Sequence, residues 1–262
     1  MIFDIINNDP GFISSSFVEN FTDPGTYPFM SCDNEEGFEN SLKFKPEDWY
    51  YRHNSVEYTI NSHKFRTKEF KDIDWKNSIV LLGCSYTFGV GVTDDDTISA
   101  QLEKLTGKPV VNLGQPGASN ATIAYNSYYL KQNYPTPLSI VNLWTTMSRW
   151  FRISHEKRLI DHIFGLEKGS VSHETLNTEI TNNIMHMKMS NALWKDHQNH
   201  IQTCIYDCTK NGKPVSIAQK VFPEIIEFKR SWAEDMSGRD NVHPGRETYK
   251  EIAKMIASNL KL

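Results

Sequence analysis

The sequence predicts an α/β fold in three layers, with a doubly wound parallel sheet at its centre, and three observations carry that prediction. Short continuous apolar runs recur at "SIVLLG" (78–83), "PVVNLG" (109–114) and "LSIVNLW" (138–144), the pattern of strands covered on both faces. Segments with helical spacing separate these runs. Glycine, proline or hydroxylated residues follow each run, as expected where strands end in loops.

Residues 1–50 hold Asn, Asp, Pro, Ser and Phe without a helical or strand period, and predict an irregular arm. Phe12, Phe17, Phe21 and Phe29 give that arm apolar groups with which to pack. "SVEYTINSHKF" (55–65) has partial strand character, with Asn61 and Ser62 as turn residues, so a small β element is expected there. We therefore expect residues 1–75 to form an arm and small β element packed on a core, and 76–262 to form the α/β domain.

Within that domain "SIVLLG" is the first strand. "DDDTISAQLEKLTG" predicts a helix whose first turn is Asp94 to Asp96, with Ile98, Leu102 and Leu105 near helical spacing and Gly107 as its stop. "PVVNLG" is the second strand, and "SNATIAYNSYYLKQNY" a helix capped by Ser119 or Asn120 and ended before Pro135. "LSIVNLW" is the third strand. Residues 149–212 are expected to be mainly helical, a helical insertion with a break near Gly165 to Ser172, including "NALWKDHQNHIQTCIYDCTKNG". "KPVSIAQ" is expected as the fourth strand. "HPGRETYKEIAKMIASNL" predicts a closing amphipathic helix, with Pro244 and Gly245 at its start and Ile252, Ile256 and Leu260 on one face.

A chain of 262 residues with 39% hydrophobic and 12% aromatic content is long enough for one large core. The formal net charge of −4 supplies no basic footprint, so no nucleic-acid partner is expected. No apolar run approaches the roughly 20 residues of a membrane span. "MIFDIINNDP" places Asp4 in its apolar run and has no basic region, so it does not read as a secretory signal, and cytoplasmic synthesis is expected. Four cysteines, Cys32, Cys84, Cys204 and Cys208, are too few for a disulfide framework.

Two short stretches carry chemistry. In "GCSYT" Ser85 follows the glycine that ends the first strand, and in "RDNVHPG" Asp240 and His243 stand three residues apart. A serine hydroxyl becomes a nucleophile only with a base in reach, a group orienting that base, and donors for the oxyanion. Each stretch also has a structural reading: Ser85 as a helix cap and His243 as a residue leading into a helix.

"GCSYT" after the first strand, "NLGQPG" after the second and "DNVHPG" before the last helix resemble, in order and spacing, the SGNH or GDSL hydrolase family, over about residues 78–262. "YTINSHKFRTKEF" also resembles the lead-in of phage and bacterial members. The resemblance implies a flavodoxin-like fold and an esterase with Ser85 as nucleophile, His243 as general base and Asp240 as the residue that orients it. It implies an oxyanion hole from the backbone N–H groups of Ser85 and Gly117, with Gly114 as the other register. It implies no cofactor, no metal, and a small acyl ester or O-acylated glycan as substrate.

Two departures stand out. Cys84 occupies the aspartate position of "GDS", beside the nucleophile. The third block, "LWTTMSRW", lacks the family's asparagine, leaving Thr145, Thr146 or Ser148 to offer a hydroxyl, with Thr146 expected at the oxyanion. Arg149 and Arg66 are candidates for binding an anionic or polyhydroxylated substrate, against the alternative of structural ion pairs. Acyl transfer to a sugar hydroxyl, and a carbohydrate-binding or virion-associated protein with little turnover, are the rival functions.

Two other features are assigned no chemistry. Cys204 and Cys208, with His197 and His200 before them, are expected on different faces of a helix and not as a metal site. "GVG" at 89–91 lacks the third glycine and the acid of a dinucleotide fingerprint.

Overall fold

The computed structural model of the chain describes residues 11–147, 149–153, 160–163, 173–204, 208–210, 213–215, 225–226 and 235–262. The first of these are held on the core by aromatic and amide contacts. Phe12 lies among the rings of Phe70, Trp75, Tyr129 and Tyr134, with centroids 5.2, 6.4, 4.9 and 5.3 Å away. The Asn126 side chain pairs with both backbone groups of Ile13, at 2.8 and 3.0 Å, much as a neighbouring strand would. Two short strands, β1 (Gly25–Tyr27) and β2 (Tyr58–Ile60), then form an antiparallel ribbon. Helix α1 (Glu35–Leu42) lies between them in sequence, capped by Asn34 Oδ1, which accepts from Gly37 N at 2.8 Å. After β2 the chain turns at Asn61, whose side-chain oxygen takes the N–H groups of His63 and Phe65.

Strand β3 (Ile79–Gly83) is buried at every position. A four-residue helix, α2 (Ser85–Phe88), follows, and after it α3 (Ile98–Thr106), β4 (Val110–Gly114), α4 (Asn120–Asn133) and β5 (Ser139–Trp144). The caps are the expected ones at α4, where Ser119 Oγ accepts from Thr122 N at 3.2 Å. At α3 the start differs. Asp94 to Asp96 form a separate 3-10 turn, and the helix begins at Ile98 under Thr97, whose hydroxyl takes Ala100 N. Asp94 lies outside the first turn because it is bound elsewhere, to Arg66.

The region 149–212 departs most from expectation. Its described residues form the antiparallel strands β6 (Trp150–Ile153) and β7 (Ile160–Ile163), the helix α5 (His173–Leu193) and then strand β8 (His200–Cys204), while the break expected near 165–172 lies outside the described residues. So "HIQTC", read as helix, is the fourth strand of the sheet, parallel to β5. An open edge on β5 rewards a partner with a full ladder of hydrogen bonds. Trp144 Nε1 adds a bond to Gln202 Oε1 at 3.1 Å, and local helical preference yields to these. The stretch expected as fourth strand instead gives β10 (Lys213–Val215), a separate antiparallel ribbon with β9 (Cys208–Lys210); residues 216–219 lie outside the described ones. Helix α6 (Arg246–Asn259) closes the chain, burying Tyr249, Ile252, Ala253 and Ile256.

The main sheet is parallel throughout, in the order β4-β3-β5-β8. Helix α3 packs with α6, and α4 with α5. Because β3→β4 and β4→β5 run in opposite directions across the sheet, right-handed crossovers place α3 and α4 on opposite faces, giving three layers in a doubly wound order. The switch in direction falls beside β3, between β4 and β5, and Ser85 follows the carboxyl end of β3. Among the described residues no helix is long and apolar enough to cross a membrane.

Arg66 shows how the arm is fixed. Its side chain is 3% exposed and pairs with Asp94 at 2.6 Å. The same guanidinium donates to the carbonyls of Gly89, Val92 and Glu57. Its planar fork is thus filled by the protein, and a substrate-binding role is replaced by a structural one. Arg66→Leu leaves these carbonyls without their donor, and should lower unfolding free energy by about 3 kcal/mol or more in denaturant titration. A loss under about 1 kcal/mol would show that water substitutes for the guanidinium.

Candidate active site

Strands β3 and β4 end side by side on paired glycines, Gly83 and Gly114. Helix α2 lies across both ends. A Cβ on Gly83 would be 2.0 Å from Thr87 Oγ1, and one on Gly114 only 2.4 Å from Phe88 N. Gly89, at φ +86°, then stops the helix in the left-handed conformation, its N–H returning to Ser85 O at 2.9 Å. Ser85 is the first residue of this helix and is 4% exposed.

The segment before α6 folds into a tight loop of its own. Gly238 N donates to His243 O and Asn241 N to Gly238 O, at 2.9 and 3.1 Å, while Asn241 takes a left-handed φ of 59°. Arg239 N donates to Gly91 O at 2.9 Å, which docks the loop beside α2. Asp240 Oδ1 accepts from Val242 N and His243 N at 3.1 and 3.0 Å. Its other oxygen, Oδ2, is 2.5 Å from His243 Nδ1, and His243 Nε2 is 2.7 Å from Ser85 Oγ. A carboxylate on Nδ1 places the ring proton there, so Nε2 accepts from the serine hydroxyl. The three residues thus form one hydrogen-bonded chain. Cys84 is fully buried, and its Sγ lies 4.0 Å from Ser85 Oγ.

Burial pushes the Asp240 carboxyl up, but the His243 hydrogen bond, the His243 charge and the backbone N–H groups of His243 and Val242 outweigh it, and its pKa lies below the ordinary carboxylate value.

The other candidates divide. Gly117, buried and at φ +75°, follows Pro116 in a turn closed by Ala118 N donating to Gln115 O at 3.1 Å. Gly114 N is occupied by Asn112 Oδ1 at 2.9 Å, which leaves Gly117 as the better backbone donor of the two. Thr145 follows β5, and its hydroxyl is buried with no hydrogen-bond partner among the described residues. Thr146 is half-buried, and Ser148 lies outside the described residues. Arg149 Nη1 donates to Ala118 O at 3.4 Å, so its side chain borders the Gly117 turn. Arg66 is fixed beneath α2 as described above.

Two sets of contacts at this edge escaped the sequence reading. Asn120 Oδ1 takes Thr145 N at 2.8 Å, and its Nδ2 donates to Thr145 O at 3.2 Å, tying the end of β5 to the start of α4. Gln115 Oε1 takes Ser15 N and its amide donates to Lys64 O, tying the Gly117 turn to the arm. Both sat in plain view beside the "GQPG" stretch, but an amide's partners 25 to 100 residues away leave no local pattern. The histidines set aside earlier are also engaged. His197 Nε2 meets Pro137 O at 2.9 Å and His200 Nε2 meets the Asn142 amide at 3.1 Å. His200 and Cys204 lie on β8, and Cys208 on β9, not on helical faces as expected.

The lowered Asp240 pKa fixes a sign. A carboxyl depressed in the folded state adds stability that is present above its unfolded pKa of about 3.9 and is lost as pH falls through the folded value. Unfolding free energy followed from about pH 6 to pH 2 should therefore fall less steeply below about pH 4 in Asp240→Asn than in the wild type. Parallel curves would show that the pairing adds nothing to stability.

No family model matches the chain, and no curated protein matches it. Solved structures similar to it in fold include a carbohydrate esterase, at 12% identity and TM-score 0.46 over 72% of this chain and 69% of that one. An acetyl xylan esterase from the rumen bacterium Butyrivibrio proteoclasticus is similar at 10% identity and TM-score 0.45, over 79% and 66%. A psychrotrophic esterase from Pseudoalteromonas sp. is similar at 13% identity and TM-score 0.42, over 70% of this chain and 96% of that one.

Proposed function

We propose that the protein is a serine esterase of the SGNH type, cleaving a carboxylic ester through Ser85, His243 and Asp240. The observation that carries this reading is the chain of contacts at 2.7 and 2.5 Å from Ser85 Oγ through the His243 ring to Asp240. Nucleophile, base and orienting group stand in series, and hydrolysis of an ester needs that series.

In the first half-reaction Ser85 Oγ attacks the ester carbonyl carbon as its proton passes to His243 Nε2. Asp240 keeps the ring oriented and balances the imidazolium charge. The oxyanion that forms is met by the backbone N–H groups of Ser85 and Gly117, and by a threonine hydroxyl from the segment after β5. Collapse breaks the bond to the alcohol oxygen, which takes the proton from His243 and leaves. A water then attacks the acyl-serine, gives a proton to His243, and the carboxylic acid departs as Ser85 regains its hydrogen. A small acyl ester or an O-acyl ester on carbohydrate is the substrate class that the sequence resemblance implies.

Labelling with a fluorophosphonate probe tests the reading without knowledge of the substrate. The wild type and Cys84→Ala should label, and Ser85→Ala should not. Labelling lost in Cys84→Ala and kept in Ser85→Ala would overturn the assignment. An added sugar acceptor should leave free acid as the main product; acylated sugar would identify a transferase.

Thr146→Val removes a hydroxyl at constant shape, and should lower turnover of an activated ester by about 10- to 100-fold with KM little changed. Thr145→Val serves as its comparison, because the Thr145 hydroxyl is buried and unpaired among the described residues. If the loss follows Thr145, that hydroxyl is the donor. If neither variant loses turnover, the backbone groups suffice.

A further inference from the structure

We propose that the buried cluster of Asp33, Arg239 and Tyr58 is a positioning device for the base: through it the arm holds the loop that presents Asp240 and His243. Arg239 is the residue before Asp240. Its Nη2 and Nε lie 2.8 and 3.0 Å from Asp33 Oδ2, and Nε is 3.1 Å from Oδ1, with the two side chains 4% and 1% exposed. Nη2 also donates to Pro28 O at 2.5 Å, and the guanidinium lies over the Phe29 ring, 4.3 Å from its centroid.

Tyr58 closes a ring of contacts. Its hydroxyl donates to Asp33 Oδ2 and accepts from Gly91 N at 3.0 Å. Gly91 O in turn accepts from Arg239 N at 2.9 Å. A Cβ on Gly91 would stand 2.9 Å from Asp240 Oδ1, so the backbone there, at φ +82°, abuts the triad carboxyl. Two further bonds from the arm reach the same loop, Trp49 Nε1 to Ser237 O at 3.5 Å and Asn241 Nδ2 to Ser41 Oγ.

The cluster suits positioning better than stabilisation. Desolvating both charges of a buried pair offsets much of their attraction, and apolar residues of similar volume can stabilise as well. A guanidinium fork on a carboxylate supplies fixed geometry, which apolar residues lack. Burial pushes the Asp33 carboxyl up, and the bonds and charge of Arg239 counter part of that rise. The loop it holds has no regular strand or helix around Asp240, so its orientation depends on such anchors.

The inference rests on His243 as the general base, and its test separates the two. In full-length protein carrying 15N-histidine, the proton on His243 Nδ1 should give a low-field signal, assigned by its loss in Asp240→Asn. Asp33→Asn, at a temperature where circular dichroism reports a folded chain, should lose or shift that signal and slow fluorophosphonate labelling by about 100-fold, the scale of a misplacement near 1 Å. Tyr58→Phe, which removes one hydroxyl, should act in the same direction by about 10-fold, and decides the matter alone if Asp33→Asn does not fold. A purely structural cluster would lower the melting temperature and leave both readouts unmoved in folded protein. The proposal is overturned if the folded variants keep the signal and label within about twofold of the wild type, or if the wild type has no such signal. If the wild type has the signal but does not label, the esterase reading fails and the signal alone judges the cluster.

Discussion

The arrangement around Ser85 depends on one steric constraint, the close approach of a four-residue helix to the ends of two parallel strands. Neither Gly83 nor Gly114 has room for a Cβ, because Thr87 and Phe88 occupy that space. Backbone groups meet there directly. Asn112 Nδ2 donates to Thr87 O at 2.8 Å, and Gln115 N to Gly83 O at 3.0 Å, so the helix and the second strand end are locked together. The doubly wound order puts the crossover switch beside β3, at the carboxyl edge where open α/β sheets bind their ligands. Ser85, the Gly117 turn and Thr145 all follow strands that end at that edge.

A second constraint comes from the arm, which places two buried cations around α2. Arg66 lies below it, filled by carbonyls of the arm and of the Gly89 to Val92 turn, and Arg239 lies beyond it on Asp33. Tyr58 stands between them, its ring 4.5 Å from the Arg66 guanidinium and its hydroxyl on Asp33. Burial holds the Tyr58 hydroxyl well above its ordinary pKa, so it stays a neutral donor. The Gly89 to Val92 turn, which follows the helix that begins at Ser85, and the loop that carries His243 thus share one set of supports. Their relative position follows from buried hydrogen-bond geometry more than from apolar contact.

The sequence made the centre of the fold legible because strands buried on both faces leave an unmistakable apolar run, and because Ser119, Gly107 and Pro135 punctuate the helices between them. The Asp240–His243 contact could be anticipated from a spacing of three residues, whereas the meeting of Ser85 with His243 across 158 residues was expected from the resemblance of their blocks to the SGNH family. What could not be read was set by distance along the chain. Strand β8 exists because β5 had an open edge, a fact about the sheet and not about "HIQTC". Asp33 meets Arg239 across 206 residues, and no pattern near either marks the pair. Arg66 shows the converse. Its neighbours left open a substrate contact or an ion pair, and Asp94 and carbonyls of two distant segments fill its guanidinium.

The missing asparagine of the third block has a physical context in how this edge uses its amides. Asn112 holds α2 and Gly114 N, Asn120 holds both backbone groups of Thr145, and Asn142 donates to Ser190 Oγ at 2.9 Å and meets His200. Each of these side chains is buried and committed to fixing a strand end or a helix. Diverting Asn112 or Asn120 to an oxyanion would strand the backbone groups it now satisfies, at about 1–3 kcal/mol for each group left unpaired. The Thr145 hydroxyl is buried without a hydrogen-bond partner among the described residues. On the proposed esterase reading, backbone N–H groups and a threonine hydroxyl would share the task a side-chain amide performs elsewhere, and the amides at this edge would serve to hold those donors still.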